Sequence, residues 1–474
     1  MQNKMWRKEV VVGIILLFIG TSLLPTITGG IDTEICIVSK QTKTKYDLLI
    51  IAPKEFIPSL QPLVDHKNLF GVKTMIKDVD EIYLQFNGRD QAEKVKYYIK
   101  YALEEWNIQY VLLVGGRKGQ SVVEDWWIPV RYAHIEYVAL DGRTENRYIS
   151  DLYYANIYEQ NRTFSSWDTN NDGVFSEWPY KAAAKDIIDL APDVAVGRLP
   201  CRTVCEVKTI VQKIITYEHE ECNESWFKNI VGISFASDRV MPGWDGESVI
   251  RQGLTYMQNF THSTLFASDG SLKSSMDVIK AINKGCGFLW FFGGGTPKKW
   301  GAYLPNKVFW TYVLQNYQIP LLVNHKKLPI CLDGSGCHNC LFNVSIGNTL
   351  DFQPWKGSNW EGTATARCIG ERLLASPGGG CIAIIGPTAM GHDSMGILSH
   401  EGGCDWLDIH FLKEYNVNKV TVLGDAWRNT LSDYVQNHTI DWTDTTSNDD
   451  SIIVKTVQAW SLFGDPSLKI GGYS

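Results

Sequence analysis

A cysteine that follows a glycine-rich bend is the clearest candidate for chemistry in this chain. The segment "PICLDGSGC" is an apolar run that ends in Gly334, Ser335 and Gly336 and leads directly into Cys337. Glycines let the backbone approach a substrate carbonyl closely, and they leave N–H groups available to stabilise an oxyanion. A thiol at this position is well placed to attack an acyl group. The alternative is a small buried hydrophobic residue, which most free cysteines are.

The same segment offers a second interpretation. Cys337 and Cys340 form a Cys-x-x-Cys pair, which is typical of a redox site or of half a zinc site. No second pair of cysteines or histidines stands at zinc-binding spacing in the sequence. A disulfide between these two cysteines would also block the nucleophile, so the redox and acyl-transfer interpretations exclude each other.

A segment of the first half has the pattern of a calcium loop. In "DTNNDGVFSEW", Asp168, Asn170 and Asp172 stand at alternate positions and are followed by a glycine and by Glu177. Alternating oxygen ligands with a glycine at the sharp turn are typical of the start of an EF-hand loop. Pro179 stands where the full loop would have its last glutamate, so we expect a shorter structural calcium site. The alternative is an Asn/Asp turn without an ion.

Short apolar runs alternate with amphipathic helical patterns from about Tyr46 onwards. Apolar runs such as "YDLLIIAP", "YVLLVGG", "NIVGIS", "GFLWFFGGG" and "GGCIAIIGP" predict buried strands. "DQAEKVKYYIKYALEEW" and "SSMDVIKAINKG" predict capped helices. This alternation predicts an α/β fold with mostly parallel sheets covered by helices on both faces. The loops at the carboxyl ends of the strands are where such folds place their sites.

The organisation along the chain predicts two α/β subdomains, residues 30–215 and 216–474, behind an N-terminal segment 1–29. That segment has basic residues followed by an apolar stretch to about Leu24, which predicts a signal peptide or a retained anchor. We therefore expect an exported protein that contacts a membrane only through this segment. The net charge of −7 is spread evenly, which argues against nucleic-acid binding.

Three motifs in order carry a resemblance to a known family. "DVAVGRLPCR", "GCHNCLFNVS" and the C-terminal "WSLFGDPSL" together resemble the gingipain-type cysteine peptidases. The resemblance implies a caspase-like α/β fold in two subdomains, a polypeptide substrate or ligand, and no organic cofactor. It also implies that Cys337 is the nucleophile and Asp238 the acidic member of the site. The partner histidine of the family falls at Gly294, so this chain lacks it.

Three functional hypotheses remain. A surface protein with purely structural α/β lobes is disfavoured, since it would not need Asp238 or the glycine bend before Cys337. The other two differ in what the missing histidine implies. A positioned acid–base group contributes roughly 10²–10⁴-fold to a reaction rate, and here it would also have protonated the leaving amine. The first hypothesis is an exported cysteine peptidase that acts through Cys337 with impaired activity, for which His392 is a candidate substitute base. The second is a pseudo-peptidase that binds peptides or proteins. In both hypotheses, Gly336, Gly293 and Gly295 are the loop glycines that would surround the carbonyl of a bound peptide.

Overall fold

The computed structural model describes residues 45–138, 144–179, 185–219, 225–235, 245–304, 310–334, 337–351, 363–393, 401–443 and 449–473. The N-terminal segment 1–29 and Asp238 are outside these residues, and so is Gly336. No helix within the described ranges has the length and apolar character that a membrane crossing requires.

Strands and helices alternate along the described chain, as the sequence predicts. The strands are β1 (Leu48–Ala52), β2 (Thr74–Asp78), β3 (Tyr110–Val114), β4 (Tyr132–Ile135), β5 (Tyr137–Val138), β6 (Thr144–Glu145), β7 (Tyr148–Ile149), β8 (Glu177–Trp178), β9 (Ala195–Leu199), β10 (Asn229–Ser234), β11 (Thr261–Phe266), β12 (Phe288–Phe292), β13 (Gly294–Thr296), β14 (Lys299–Tyr303), β15 (Trp310–Gln315), β16 (Ile330–Asp333), β17 (Ala383–Pro387) and β18 (Trp460–Phe463). The α-helices are α1 (Ile57–Leu69), α2 (Val79–Gln85), α3 (Gln91–Trp106), α4 (Leu152–Ala155), α5 (Val204–His219), α6 (Gly246–Leu254), α7 (Ser275–Lys284), α8 (Ile369–Ala375), α9 (Gly403–Asn416), α10 (Leu423–Asn437) and α11 (Asp449–Ala459). Two 3₁₀ helices span Asn316–Leu321 and Ile346–Asp351.

One ten-stranded sheet organises the protein, in the order β11-β10-β12-β16-β17-β18-β9-β3-β1-β2. Its inner strands, such as β1, β12, β16 and β17, are short and buried, because both faces of a parallel sheet are covered. The edge strands β11 and β2 are partly exposed. Neighbouring strands run parallel except for β17 and β18, which pair antiparallel. The predicted α/β fold with a mostly parallel sheet is therefore confirmed.

The antiparallel pair divides the sheet into two halves of opposite direction. β9, β3, β1 and β2 come from before residue 215, and the strands from β11 to β18 come from after it. The last strand, β18, runs parallel to β9 and so belongs in direction to the first half. The division of the chain into two subdomains at about residue 215 stays a prediction, since one sheet is continuous across both parts.

Local signals in the sequence set the ends of the helices. The side chain of Asp90 accepts a hydrogen bond from the backbone N–H of Glu93 and so caps the start of α3. Ser274 and Asp277 form a reciprocal capping box at the start of α7. Gly285 ends α7 at φ +91°, a left-handed conformation that glycine adopts without strain. These caps fix where each helix returns the chain to the sheet.

A buried arginine ties the first half of the chain to the segment that follows Cys337. The guanidinium of Arg202, which lies just after β9, makes two hydrogen bonds to the carboxylate of Glu371 in α8, at 2.8 and 2.9 Å. It also donates to the carbonyls of Phe342 and Val344, at 2.9 and 3.1 Å. All three guanidinium nitrogens donate hydrogen bonds, because an arginine is too costly to bury otherwise. This arginine belongs to the "GRLPCR" motif that the sequence analysis identified.

Candidate active site

Four adjacent strands bring the candidate residues to one edge of the sheet. β10, β12, β16 and β17 lie side by side and run parallel, so their carboxyl ends meet at the same edge. Gly294 follows β12, Cys337 follows β16, and His392 follows β17. Asp238 would follow β10, but it lies outside the described residues. The edge is the place where open α/β folds put their sites.

The Cys337 sulfur is a poor nucleophile in its present surroundings. Cys337 is half-buried, and burial raises the pKa of its thiol to about 11, with the charges of Glu145 and Asp393 adding to the rise. The backbone N–H of Gly391 lies against the sulfur and acts in the opposite direction, as does Lys455. Only roughly one thiol in 10⁴ with such a pKa is ionised at neutral pH. The side chain is therefore a neutral thiol.

Cys337 is not part of a disulfide or of a clustered metal site. Every cysteine that the structure describes is free, and Cys340 is fully buried with its N–H bonded to the carbonyl of Pro387 at 2.9 Å. Within the same described ranges, only Asp393, Cys404 and Asp405 bring ligand atoms within 4.8 Å of one another. Neither the redox nor the zinc interpretation of the Cys-x-x-Cys pair gains support from this geometry.

His338, the neighbour of Cys337 in sequence, points away into the protein. Its ring is buried, and its Nε2 lies 2.5 Å from a carboxylate oxygen of Glu145. The other oxygen of Glu145 lies 2.5 Å from the ammonium of Lys455. Burial alone would raise the pKa of Glu145, but Lys455 and His338 outweigh it and hold that pKa below its usual range. The three side chains form a buried ionic cluster behind the thiol.

An indole ring lies over Gly294, the position to which the resemblance assigns the histidine of the family. Gly294 begins β13 and pairs with Gly301 of β14, and the ring of Trp310 from β15 lies across both glycines. Any Cβ at position 294 would overlap the six-membered ring of Trp310. Trp310 is itself held edge-on against Tyr303 and Phe235, with ring centroids 4.7 and 5.8 Å away. The space next to Gly294 is thus filled by Trp310.

The remaining loop glycines have different surroundings. Gly295 pairs with Trp300 in the β13–β14 hairpin, and Gly293 stands at the start of that hairpin against the ring of Phe291. The hairpin is anchored to the strand before Cys337, because the indole N–H of Trp300 donates to the carboxylate of Asp333 at 2.9 Å. The predicted role of these glycines and of Gly336 at an oxyanion stays a prediction.

His392 lies at the same edge but is a weak base. Burial lowers the pKa of its ring to about 3, and Lys455 lowers it further than Glu145 raises it. The ring packs edge-on against Tyr137 at 4.2 Å, and within the described residues its Nε2 has no hydrogen-bond partner. A base with so low a pKa cannot hold a proton taken from a thiol with a pKa of about 11. The predicted role of His392 as a substitute base is unfavourable in this arrangement.

Three side chains of the predicted calcium loop, those of Asn170, Asp172 and Glu177, lie close to one another. The amide of Asn170 donates to the carboxylate of Asp172 at 3.0 Å and reaches that of Glu177 at 3.4 Å. Burial and the charge of Asp172 raise the pKa of Glu177, as expected for acidic groups drawn together. One carboxylate oxygen of Asp168 is engaged by Arg89 at 2.5 Å. The calcium site stays a prediction, in which the guanidinium of Arg89 competes with the ion for Asp168.

Sequence reasoning missed Glu145, Lys455 and Trp310. Glu145 and Lys455 stand far from Cys337 in the chain and belong to no motif, so only the fold brings them to the thiol. Trp310 is separated from Gly294 by one hairpin strand. The paired glycines at 294 and 301 were the available signal, because a glycine pair across two strands leaves a gap that an aromatic ring can cover.

Comparison with known proteins identifies the family. The model of peptidase family C25 matches residues 41–471. The chain belongs to peptidase family C25. This is the family of the gingipains, so the resemblance seen in the three sequence motifs is confirmed. A search among curated protein sequences finds no match.

Solved gingipain structures have the same fold as the C25 protein described here. The complex of the pro- and mature domains of RgpB from Porphyromonas gingivalis is 20% identical, with a TM-score of 0.57, and the match covers 89% of this chain and 79% of that one. The Arg-specific cysteine proteinase gingipain R is 18% identical with a TM-score of 0.60, over 91% and 79% of the two chains. At this identity the likeness establishes the fold and leaves the site to be argued from its own residues.

Introducing a histidine at position 294 alone is expected to destabilise the protein. In Gly294→His the new side chain must displace Trp310, and overpacking of this kind costs about 1–3 kcal/mol of the free energy of unfolding. The double variant Gly294→His/Trp310→Gly provides the space, so we expect it to unfold at a higher denaturant concentration than the single variant. Chemical denaturation measures both, with Trp310→Gly as the matched control. Equal stability of Gly294→His and the unchanged protein would contradict the geometry.

The state of the Cys337 thiol predicts a characteristic pH dependence. Only the thiolate reacts with iodoacetamide, so the rate at Cys337 should rise about tenfold per pH unit from pH 7 to 10 and level off near the pKa of about 11. Mass spectrometry of the alkylated peptide gives this rate residue by residue, with the exposed Cys205 as a control for access. A rate that is already constant above pH 7 would mean that the thiol is activated.

Proposed function

We propose that this C25 protein is a pseudo-peptidase, which binds peptides or protein partners and does not cleave amide bonds efficiently. The observation that carries the proposal is the Trp310 ring on Gly294 and Gly301. Hydrolysis of an amide requires a group that first removes the thiol proton and then donates a proton to the leaving amine. The space for that group at the carboxyl end of β12 is occupied by an aromatic side chain that can do neither.

The surroundings of the thiol support the same proposal. Burial keeps Cys337 protonated, and His392 has a pKa too far below that of the thiol to replace the missing base. The nearby cation, Lys455, is engaged with Glu145. A thiol without activation can still form part of a binding surface, which explains why a thiol and a glycine bend remain without a base beside them.

The proposal extends to the location and the ligand of the protein. The basic and apolar N-terminal segment 1–29 supports export, with the mature protein outside the cell or on its surface. Membership of a peptidase family supports a polypeptide as the ligand. The preference of gingipain R for arginine is not transferred, because the acidic position that the resemblance associates with it is Val249 here, which is buried.

Peptide cleavage and peptide binding can be measured separately. We expect no cleavage of a diverse peptide library above the level of a Cys337→Ala variant, when products are followed by mass spectrometry. We expect binding of some library members to immobilised protein, and the same binding by Cys337→Ala. Cleavage that disappears in Cys337→Ala would instead identify a cysteine peptidase. A complete absence of binding would remove the binding role.

We also propose a structural calcium ion at Asn170, Asp172 and Glu177, with Asp168 as a further ligand once Arg89 is displaced. Calcium would relieve the repulsion between Asp172 and Glu177, so at saturating concentration it should stabilise the folded state by about 3 kcal/mol. Thermal unfolding with calcium and with a chelator measures this shift. The variant Asp172→Asn should lose most of it, whereas an equal shift in both proteins would place the calcium elsewhere.

A further inference from the structure

A single carboxylate contacts both of the loops that meet at the Cys337 sulfur. Glu145 is buried at the end of the short strand β6, in the first half of the chain. Its Oε1 lies 2.5 Å from Nε2 of His338, the residue that follows Cys337. The backbone N–H of Met390 donates to the same carboxylate, at 3.1 Å from Oε2. Met390 immediately precedes Gly391, whose N–H lies against the sulfur.

The contact between sulfur and N–H is thus held from both sides. His338 follows Cys337 in the chain, and Met390 precedes Gly391. Both His338 and Met390 are hydrogen-bonded to Glu145. Movement of either loop by more than a fraction of an ångström would break a hydrogen bond to a buried charge. Such bonds are worth more than neutral ones, and an unmatched buried charge is costly.

The backbone next to the sulfur is in an unusual conformation that requires such support. His338 has φ +63°, in the left-handed region that a residue with a Cβ rarely adopts. Its backbone N–H donates to the carbonyl of Ala389 at 2.9 Å, and its ring is held by Glu145. Strained residues persist only where their surroundings over-determine them, and they cluster at functional sites. The ring of His338 is therefore held by Glu145 itself, and its backbone N–H is held by the loop after β17 that Glu145 contacts.

We propose that Glu145 is the positioning residue of the Cys337 site: it joins the loop after β16 to the loop after β17 and so fixes the sulfur against the N–H of Gly391. Lys455 completes the arrangement by balancing the charge of Glu145, at 2.5 Å. The inference rests on the proposed role of Cys337 as the thiol of the site. It holds equally for a peptide-binding protein and for a slow peptidase, because positioning of the sulfur is needed in both.

The chain contains a chemically matched cluster that serves as a control. Glu218 is buried and contacts Nε2 of His66 and the ammonium of Lys67, each at 2.8 Å. Both clusters join a buried glutamate to a histidine and a lysine, and Lys67 pairs in addition with Asp465 at 2.7 Å. Glu218 lies at the other half of the molecule, on α5, with its partners on α1. Removing Glu218 therefore reproduces the loss of a buried carboxylate and leaves the Cys337 loops untouched.

Hydrogen exchange of the full-length protein tests the proposal at the level of the two loops. In Glu145→Ala, we expect exchange in peptides that cover residues 337–341 and 388–393 to accelerate about tenfold. Glu145→Gln retains acceptor oxygen and should recover a large part of the protection. Glu218→Ala should leave both segments within about twofold of the unchanged protein, although its global stability falls.

A gentler variant covers the case in which Glu145→Ala does not fold. His338→Ala removes one of the two anchors and leaves the Glu145–Lys455 pair intact, so exchange should accelerate in 337–341 and remain slow in 388–393. Unchanged exchange of both segments in Glu145→Ala, or of 337–341 in His338→Ala, would overturn the proposal, as would equal acceleration in Glu218→Ala. None of these measurements uses cleavage or peptide binding, so their outcome is independent of the proposed function.

Discussion

The antiparallel pairing of β17 with β18 determines which segments of the chain lie next to the candidate site. Because the direction of the sheet reverses there, the carboxyl ends of β12, β16 and β17 share an edge with the amino end of β18. Helix α11 leads into β18 at that edge and brings Lys455 with it. The hydroxyl of Thr388, just after β17, donates to the carbonyls of Ala459 and Ile149, at 3.0 and 2.5 Å. If β18 ran parallel to β17, Lys455 before β18 and Cys337 after β16 would lie at opposite edges of the sheet.

Gly294 has a packing role beside the candidate site. Without a covering side chain, the paired glycines beside the buried strands would leave a cavity, and cavities in packed regions are destabilising. Trp310 removes this cost by lying on the paired glycines at 294 and 301, and the contacts of its ring with Tyr303 and Phe235 fix its orientation. The glycine at 294 is now required for packing, since any Cβ there would overlap the indole. The glycine at position 294 and the local stability of the hairpin are therefore coupled.

The fold was largely readable from the sequence, whereas the site was readable only in part. Buried parallel strands are continuous apolar runs, so β1, β3, β12, β16 and β17 could be located from their residues alone. Their carboxyl ends then predicted that Gly294, Cys337 and His392 would share an edge, as they do.

What the sequence could not give is the environment of each side chain. The pKa of Cys337 depends on burial, and the direction of the His338 ring depends on a carboxylate that is 193 positions away. The antiparallel pairing of β17 with β18 has no sequence signal either, since the apolar pattern of a strand does not encode its direction. The one accessible clue was the glycine at the cross-strand position 301, which becomes meaningful only once the register of the hairpin is known.

Positioning and activation are separate properties of a thiol site, and the proposed pseudo-peptidase has the first without the second. Glu145, the N–H of Gly391 and the Asp333–Trp300 bond all hold the Cys337 loop in place. Activation would require a cation or a base beside the sulfur, yet Glu145 takes the hydrogen bonds of both Lys455 and His338. The same carboxylate that orders the loop therefore takes the hydrogen bonds that Lys455 and His338 would otherwise have available for the thiol. An ordered, neutral sulfur at the edge of a peptidase fold suits recognition better than turnover, because recognition depends on shape and turnover depends on proton transfer.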